Sequence, residues 1–566
     1  MNQIQMIKKC IAIFLLLAVN PAMAQSGLVE RKMMHNEKPD ANSVYMPLEN
    51  PETSPAYSYK SSGIFTTQVN VNENGDNILG DAANEPSIAV DPTDPNRIMI
   101  GWRQFDNVGS SFRQAGHAYT LDAGQTWTFP GSIDAGVFRS DPVLDCDSEG
   151  NFYYNSLTTV GNDYLCTVYK TSNDDIEWDE GTFAQGGDKQ WMRIDRSGGI
   201  GDGNIYSNWT RNYSYCFPNF FTRSTDGGET YEDCVDVLGD PYWGTECIGP
   251  QGELYIAGSG EFNDVMVVRS DNAKEAGSVI SWPVYAPVDL DGELRIFPEV
   301  NPQGLMGQVW VDCDRSFGLG RGNVYVCASV DRFGSPDPGD VMFARSTDGG
   351  ETFEPPVRIN NDLSSSNTQW FATMSVSPTG RIDVIWLDTR VDPTGGVLSA
   401  LFYSYSLDQG LTWSSNEQMS MMFDPHVGWP QQNKMGDYFD MVSDAGGAHL
   451  AWANTLNGEQ DVYYSYITPD LVGIEDHETN TMARITANPN PFSGNLNIVY
   501  ELQNAAKVKL SIYDMLGNEI ALLENRYRDA GLQRSGFNGS DLPNGIYIIA
   551  LEADGVVSRV KVIKTR

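Results

Sequence analysis

Apolar and polar residues alternate in short runs along most of this chain, as in "NRIMIGW", "DVMFA", "LFYSY" and "YYSYITPD". A period of two with aromatic and β-branched residues predicts half-buried strands, and Gly, Asp, Asn and Pro between the runs predict turns. Long apolar stripes of helical period are absent. One arrangement recurs: a strand, a Gly/Asp/Asn turn, then a second strand. It is legible in "PSIAVDPTDPNRIMIGW", "PVLDCDSEGNFYYNS", "MRIDRSGGIGDGNIYSNW", "TECIGPQGELYIAGS", "GLGRGNVYVCAS", "ATMSVSPTGRIDVIW" and "DMVSDAGGAHLAW". The copies lie roughly 50 to 70 residues apart, a period suited to the blades of a propeller. Each period has room for about four short strands, which is one blade.

A second phrase runs out of phase with the first. "TLDAGQTW" (Thr120–Trp127), "STDGGETY" (Ser224–Tyr231), "STDGGETF" (Ser346–Phe353) and "SLDQGLTW" (Ser406–Trp413) share Ser/Thr-x-Asp-x-Gly-x-Thr-aromatic. Degenerate copies stand at Lys170–Trp178 and Arg269–Trp282. Each phrase follows a strand and suits a tight turn: the carboxylate accepts backbone N–H groups, and Gly takes a conformation other residues avoid. Asp122, Asp226, Asp348 and Asp408 are therefore structural turn residues, and the closing aromatics suit packing between blades. The phrase is the Asp box, or BNR repeat, and the chain from about Asn70 to Asp470 resembles the sialidase-like propellers. The expected fold is all-β, a six- or seven-bladed β-propeller. Seven is favoured by the count of strand pairs; six is the sialidase number, and Trp282–Asp314 is irregular. "TTQVNVNENG" (Thr66–Gly75) is expected to supply the outer strand that closes the ring.

The pattern changes after Asp470. "NPNPF" (Asn488–Phe492), "IYDMLG" (Ile512–Gly517), "NGIYII" (Asn544–Ile549) and a closing "KVIK" resemble the type A sorting domain of the Bacteroidetes type IX secretion system. Alternating apolar residues there predict a small Ig-like β-sandwich. At the other end Lys8 and Lys9, the apolar "CIAIFLLLAV" and "AMA" at Ala22–Ala24 read as a secretory signal peptide cleaved before Gln25. The expected organisation is a signal peptide at 1–24, an N-terminal extension at 25–65, the propeller at 66–470, a linker at 471–482 and the sorting domain at 483–566. The resemblance implies export through periplasm and outer membrane, and the type IX machinery as a partner through residues 483–566. The product is then secreted or displayed at the cell surface, with no transmembrane segment in the mature chain.

Charge narrows the partners. With 75 Asp and Glu against 37 Lys and Arg, the formal net charge is -38. Phosphate backbones need basic clusters, so no nucleic-acid partner is expected. No cofactor is required by any motif, and Ca2+ stays open because no full EF-hand loop is present. Export permits disulfides. Seven cysteines follow the signal peptide, and their order suggests Cys146–Cys166, Cys216–Cys234 and Cys313–Cys327, leaving Cys247.

In sialidase-like blades the Asp boxes lie on one face and ligands bind on the other. That geometry selects catalytic candidates Asp141, Asp188, Asp388, Asp437 and Tyr438, and substrate-binding candidates Arg103, Trp191, Arg211, Trp243, Trp370 and Arg390. Carboxylates and a tyrosine are the groups glycoside hydrolysis uses, and aromatic faces hold sugars. "WLDTR" around Asp388 and Arg390 equally suits an inter-loop salt bridge. The sialidase arginine triad is not matched. Its Arg-Ile-Pro phrase is replaced in the first blade by "NEPSIAV", with Glu85 before the Pro; Arg103, Arg211 and Arg390 are the candidate substitute cluster. Two functions are expected from these residues. One is a sialidase-like glycoside hydrolase acting on extracellular glycans or polysaccharides. The other is a non-catalytic propeller binding carbohydrate or protein.

Overall fold

A computed structural model describes residue 39 and residues 43–172, 176–260, 264–469 and 483–565, the last save for 503–504, 515–518, 541 and 554–555. The expected signal peptide and linker fall outside the described residues. The chain divides into two compact units, Met1–Pro469 and Asp470–Arg566.

In the first unit seven antiparallel sheets follow one another, each built as a meander from the axis outward, and a further two-stranded sheet pairs Thr53–Pro55 with Asp76–Ile78. Blade 1 comprises Ala82–Val90, Ile98–Phe105, Gln114–Thr120 and Ser132–Ile133; blade 2 comprises Ser140–Cys146, Phe152–Val160, Asp163–Lys170 and Thr182–Phe183. Blade 3 has Trp191–Ile194, Ile205–Asn208 and Phe221–Ser224, and blade 4 has Glu246–Ile248, Leu254–Ser259, Val265–Ser270 and Val284–Val288. Blade 5 is Trp310–Cys313, Val324–Arg332, Asp340–Ser346 and Val357–Arg358; blade 6 is Gln369–Val376, Ile382–Asp388, Ala400–Ser406 and Glu417–Gln418. Blade 7 takes Asp440–Ser443, Ala448–Asn454 and Asp461–Ile467 from the end of the unit, then Ile64–Gln68 and Ser58–Lys60 from its beginning. The first strands lie side by side in order, and that of blade 7 lies beside that of blade 1, so the ring is closed. The closing strand is Ile64–Gln68, shorter than the expected Thr66–Gly75. Asn72 ends the extended run, because its side chain accepts the Asn74 and Asp76 N–H groups and folds the chain back.

Bonds near the axis join neighbouring blades. Ser87 Oγ accepts Leu144 N–H (2.9 Å), Asp145 Oδ2 accepts Ile194 N–H (2.9 Å) and Thr245 Oγ1 accepts Val311 N–H (3.0 Å). Asp312 Oδ2 accepts Val376 N–H (2.7 Å), Ser375 Oγ accepts Ser443 N–H (2.9 Å) and Asp440 Oδ2 accepts Ile88 N–H (3.2 Å). Innermost strands have no neighbour on the axial side, so side chains satisfy backbone donors that no ladder reaches.

The four Asp boxes adopt one geometry. In each, Oδ1 of the aspartate accepts the preceding Ser/Thr hydroxyl at 2.7–2.9 Å and the following Thr N–H at 2.9–3.0 Å. Oδ2 accepts the same Thr hydroxyl at 2.5–2.7 Å. The glycine is required twice over. Gly124 and Gly410 have φ of 84° and 81°, and a Cβ there would sit 2.2 Å from Tyr464 and 2.3 Å from Phe343 of the preceding blade. Partial burial opposes ionisation, but hydrogen bonds from Ser346 and Thr352 hold the Asp348 carboxyl down at about 2. An unfolded aspartate titrates near about 3.9. A depressed folded value gives stability that is full above the unfolded pKa and lost as pH falls toward 2. The gap in unfolding midpoint between wild type and Asp348→Asn should therefore narrow from pH 5 to pH 2, measured by urea titration.

Cys216 and Cys234 form a disulfide, as their order suggested. The pairs Cys146–Cys166 and Cys313–Cys327 are not formed. Cys146 lies on the first strand of blade 2 and donates to Val90 O (3.0 Å), whereas Cys166 lies on the third. Cys313 pairs across its ladder with Val324, out of register with Cys327, and its Sγ lies 2.9 Å from that of Cys247 on the adjoining first strand. Closeness in sequence failed as a guide because adjacent strands of neighbouring blades are some sixty-six residues apart in the chain.

The second unit comprises two sheets. One is Ala483–Asn488, Asn495–Leu502 and Gly531–Asn538; the other is Glu519–Arg528, Ala506–Asp514, Gly545–Ala553 and Val556–Lys564. Leu496, Ile498, Val508, Leu510, Ile549, Leu551 and Val562 form its core. Phe492 of "NPNPF" is buried in that core, and its N–H donates to Ile563 O (2.8 Å). Among the described residues no helix is long and apolar enough to cross a membrane.

Candidate functional site

In a meander the loops joining second to third strands, and those joining one blade to the next, share a face. The Asp boxes join third to fourth strands and occupy the other. At the start of every innermost strand on the loop face stands one residue with a left-handed backbone. These are Glu85 (φ 49°), Asp141 (47°), Lys189 (58°), Trp243 (54°), Gly307 (140°), Phe371 (56°) and Gly436 (100°). Five are not glycine, and each such residue costs on the order of 1–3 kcal/mol. The ring of kinks turns the chain from the loop face down along the axis. It also sets seven residues in equivalent positions, although no two neighbouring blades use the same residue type.

Three of those positions carry charge, and they meet. Lys189 Nζ lies 2.7 Å from Asp437 Oδ2 and 3.6 Å from Asp141 Oδ1. Lys434 Nζ lies 2.8 Å from Asp437 Oδ2 and 3.2 Å from Glu85 Oε1. Arg103 Nε lies 3.2 Å from Glu85 Oε2 and donates to Asn84 Oδ1 at 2.8 Å. Asp437 Oδ1 also accepts Leu305 N–H (2.9 Å), and Asp141 Oδ2 accepts Lys189 N–H (3.0 Å). Three cations therefore face three carboxylates, and every one of these side chains is at most 3% exposed. Burial pushes the Glu85 carboxyl up to about 8, with Asp437 adding to the rise and Arg103, Lys434 and Lys189 opposing it. Beneath the charges Trp191 packs edge-on against both Tyr438 and Trp310, each at 5.3 Å. Tyr438 donates to Pro142 O (2.8 Å), and burial, then Glu85 and Asp141, raise its phenol far above the ordinary value. It is therefore protonated at neutral pH.

Of the sequence candidates, Asp141, Asp437, Arg103, Trp191 and Tyr438 thus gather at the axis. Trp243 stands in the equivalent position of blade 4, packed on Tyr242 at 4.9 Å. Asp188 is buried beside Lys189, and its carbonyl accepts Thr210 N–H (2.9 Å), bracing the blade 3 loop that carries Arg211. Arg211 lies 5.9 Å over the exposed Phe217 ring, away from the network. Trp370 is a core residue donating to Ser399 Oγ (3.1 Å). Asp388 and Arg390 form an ion pair at 2.8 Å; Trp386 also donates to Asp388, and Arg390 reaches Asn361 at 2.9 Å and Asn416 at 3.3 Å. That pair ties its loop to the neighbouring strands. Arg103, Arg211 and Arg390 thus have separate surroundings, and the suggested arginine cluster is not assembled. Glu85 and Lys434 complete the axial network and were not selected from sequence. A signal for Glu85 was present: "NEPSIAV" and "SDPVLDC" place an acid before Pro at the same point of two blades.

Exposed aromatics occupy the rim of this face. Tyr215 and Phe217 are on the blade 3 loop, Phe333 is on the blade 5 loop, and Phe297 lies between blades 4 and 5; they are 45%, 64%, 66% and 40% exposed. Phe297 has φ of 56°, a costly conformation for an exposed bulky residue.

Comparison with known proteins identifies the tail. Residues 486–565 match the family described as the secretion system C-terminal sorting domain. A sorting tail of this kind marks an exported protein. A search of curated protein sequences found no match. Among solved structures, the propeller is similar to a protein of unknown function from Dyadobacter fermentans (14% identity, 72% of this chain and 100% of that one, TM-score 0.41). A Trypanosoma rangeli sialidase in complex with the inhibitor DANA aligns at 11% identity over 87% of this chain and 86% of that one, TM-score 0.37. An α-L-arabinofuranosidase of Fusarium graminearum aligns at 14% identity over 49% of this chain and 92% of that one, TM-score 0.30.

Proposed function

We propose that this is an exported propeller that binds extracellular glycan on its loop face without hydrolysing it. One observation carries this reading. The carboxylates at the axis are buried and face Lys189, Lys434 and Arg103, the half-exposed Asp134, Asp291 and Asp331 on the surrounding loops are paired with Arg139, Arg332 and Arg295, and the rim of the same face exposes aromatics. A hydrolase needs two carboxyl groups, or a carboxyl and a tyrosine nucleophile, within reach of the glycosidic bond, and Tyr438 is buried and donates to Pro142 O. A binding surface needs aromatic faces and polar loops, which Tyr215, Phe217, Phe297 and Phe333 provide. The sorting tail delivers that surface to the cell exterior.

The test is a mixed panel of sialosides, other glycosides and polysaccharides. Retention on immobilised glycans and product release by mass spectrometry would be read on the same protein. The expected result is retention without product, weakened at least tenfold by Phe217→Ala with Phe333→Ala. Glu85 is the residue that would speak for hydrolysis, since a carboxyl protonated at neutral pH can act as a general acid. Released sugar that disappears in Glu85→Gln would overturn the binding reading.

A further inference from the structure

Blades 4 and 5 meet along their innermost strands, and two buried cysteines face each other there. Glu246–Ile248 and Trp310–Cys313 run side by side: Gly244 and Val309 form a parallel bridge, and Thr245 Oγ1 accepts Val311 N–H at 3.0 Å. Side chains two apart on a strand share a face, so Cys247 follows Thr245 toward blade 5. Cys313 stands two residues past Val311, and the two sulfurs lie 2.9 Å apart. The cysteines are 3% and 1% exposed, and Tyr255, Val311, Val324 and Val326 belong to the same apolar cluster. Cys327, the other cysteine of blade 5, lies opposite Trp310 and packs instead in the cluster shared with blade 6.

Two sulfurs in plain van der Waals contact sit further apart than these do. A metal held by both would also spread them: two Zn–S bonds of about 2.3 Å at a tetrahedral angle set the sulfurs about 3.8 Å apart. Among the described residues no group of three metal-ligating side chains is present. A disulfide needs a further approach of under about 1 Å. The sorting tail marks a chain that leaves the reducing cytosol, and Cys216–Cys234 is already joined. From the facing sulfurs and this export we infer that Cys247 and Cys313 are oxidised to a disulfide that fastens blade 4 to blade 5.

The reaction is exchange with a disulfide oxidant. One cysteine gives up its proton, and its thiolate attacks the oxidant's disulfide and releases one thiol. The other cysteine, deprotonated in turn, attacks the mixed disulfide at the first Sγ and releases the second thiol. The two cysteines lose two electrons and two protons, and the oxidant gains both. Burial and then the neighbouring Cys313 push the Cys247 thiol far above its ordinary value, so the folded pair is a poor nucleophile and the bond forms before the blades close. It spans 66 residues, against 18 for Cys216–Cys234, and a longer loop constrains the unfolded chain more.

The full chain, produced with export to an oxidising periplasm, would be quenched in acid, alkylated with N-ethylmaleimide in denaturant and digested without reductant. The expected result is one mass joining the peptides of Cys247 and Cys313, with Cys146, Cys166 and Cys327 alkylated. Alkylation of both Cys247 and Cys313, or a link from either to another cysteine, would overturn the proposal. A second reading is thermal. Reductant should lower the midpoint of the wild type by several degrees, and by less in the Cys247→Ala Cys313→Ala double variant, where only Cys216–Cys234 is left to break. An equal fall in both would mean that the bond does not hold the blades. Because the peptide masses come from the wild type, a double variant that fails to fold leaves the proposal exposed to the first test.

Discussion

Asp437→Asn is expected to destabilise the propeller by about 3–5 kcal/mol, the cost of leaving a buried ion pair broken. The side chains involved explain the size. Lys189 and Lys434 both reach Asp437 Oδ2, at 2.7 and 2.8 Å, and both are nearly inaccessible to water. Asparagine fills the same volume, so no cavity confuses the result. It leaves Lys434 with Glu85 at 3.2 Å and Lys189 with Asp141 at 3.6 Å, one carboxylate fewer for the same three cations. Burial already raises Glu85 to about 8, so that carboxyl is a poor replacement near neutral pH. Lys434→Met in the Asp437→Asn background should recover part of the loss, because the two side chains are in contact and their effects do not add. Urea unfolding followed by tryptophan emission reports on this region through Trp191 and Trp310. A loss below about 1 kcal/mol, the value of an exposed pair, would mean that water reaches the network.

The axial network also shows where sequence and structure part company. Strand alternation and the Asp boxes are local signals, since each box is completed within eight residues by its own Ser/Thr, Asp and Thr. They were therefore legible, as were the strand-turn-strand repeats that became successive sheets and the "NPNPF" of the tail. Asp141 and Asp437 were also picked, because a propeller's loop face can be assigned once its strands are in order. The charge that meets them was not, since Glu85 and Lys434 are 349 residues apart and the acid-before-Pro phrase at Glu85 says nothing of Lys434. The seven left-handed positions were equally hidden. Glu, Asp, Lys, Trp, Gly, Phe and Gly share no chemistry there, and only a common backbone turn makes them equivalent. Of the expected disulfides only the local Cys216–Cys234 is formed; Cys247 and Cys313 approach through the adjacency of blades, which no spacing along the chain encodes.

Deleting the chain through Gln68 is expected to have the largest effect of all, loss of soluble folded propeller. Among the described residues Ile64–Gln68 is the strand that pairs with Asp461–Ile467, from Ile64 opposite Ile467 to Gln68 opposite Tyr463. Without it blade 7 keeps three strands and presents a long apolar edge, which invites association with other chains. The loss extends to the next blade. Thr67 Oγ1 accepts the Trp127 indole N–H (3.0 Å) and donates to Gly124 O (2.9 Å), so the closing strand also holds the Asp box of blade 1. Thr66 and Ser465 hydroxyls meet at 2.8 Å, and Ser465 in turn accepts the buried Trp452 indole at 2.9 Å. These bonds cross nearly the whole length of the propeller chain, so closure comes late and links its two ends. A synthetic peptide spanning residues 58–70, supplied during refolding of the truncated chain, should restore a cooperative melt and the native tryptophan emission. Full solubility of the truncated protein without the peptide would mean that a three-stranded blade 7 closes the ring unaided, and the closing strand would then be an appendage.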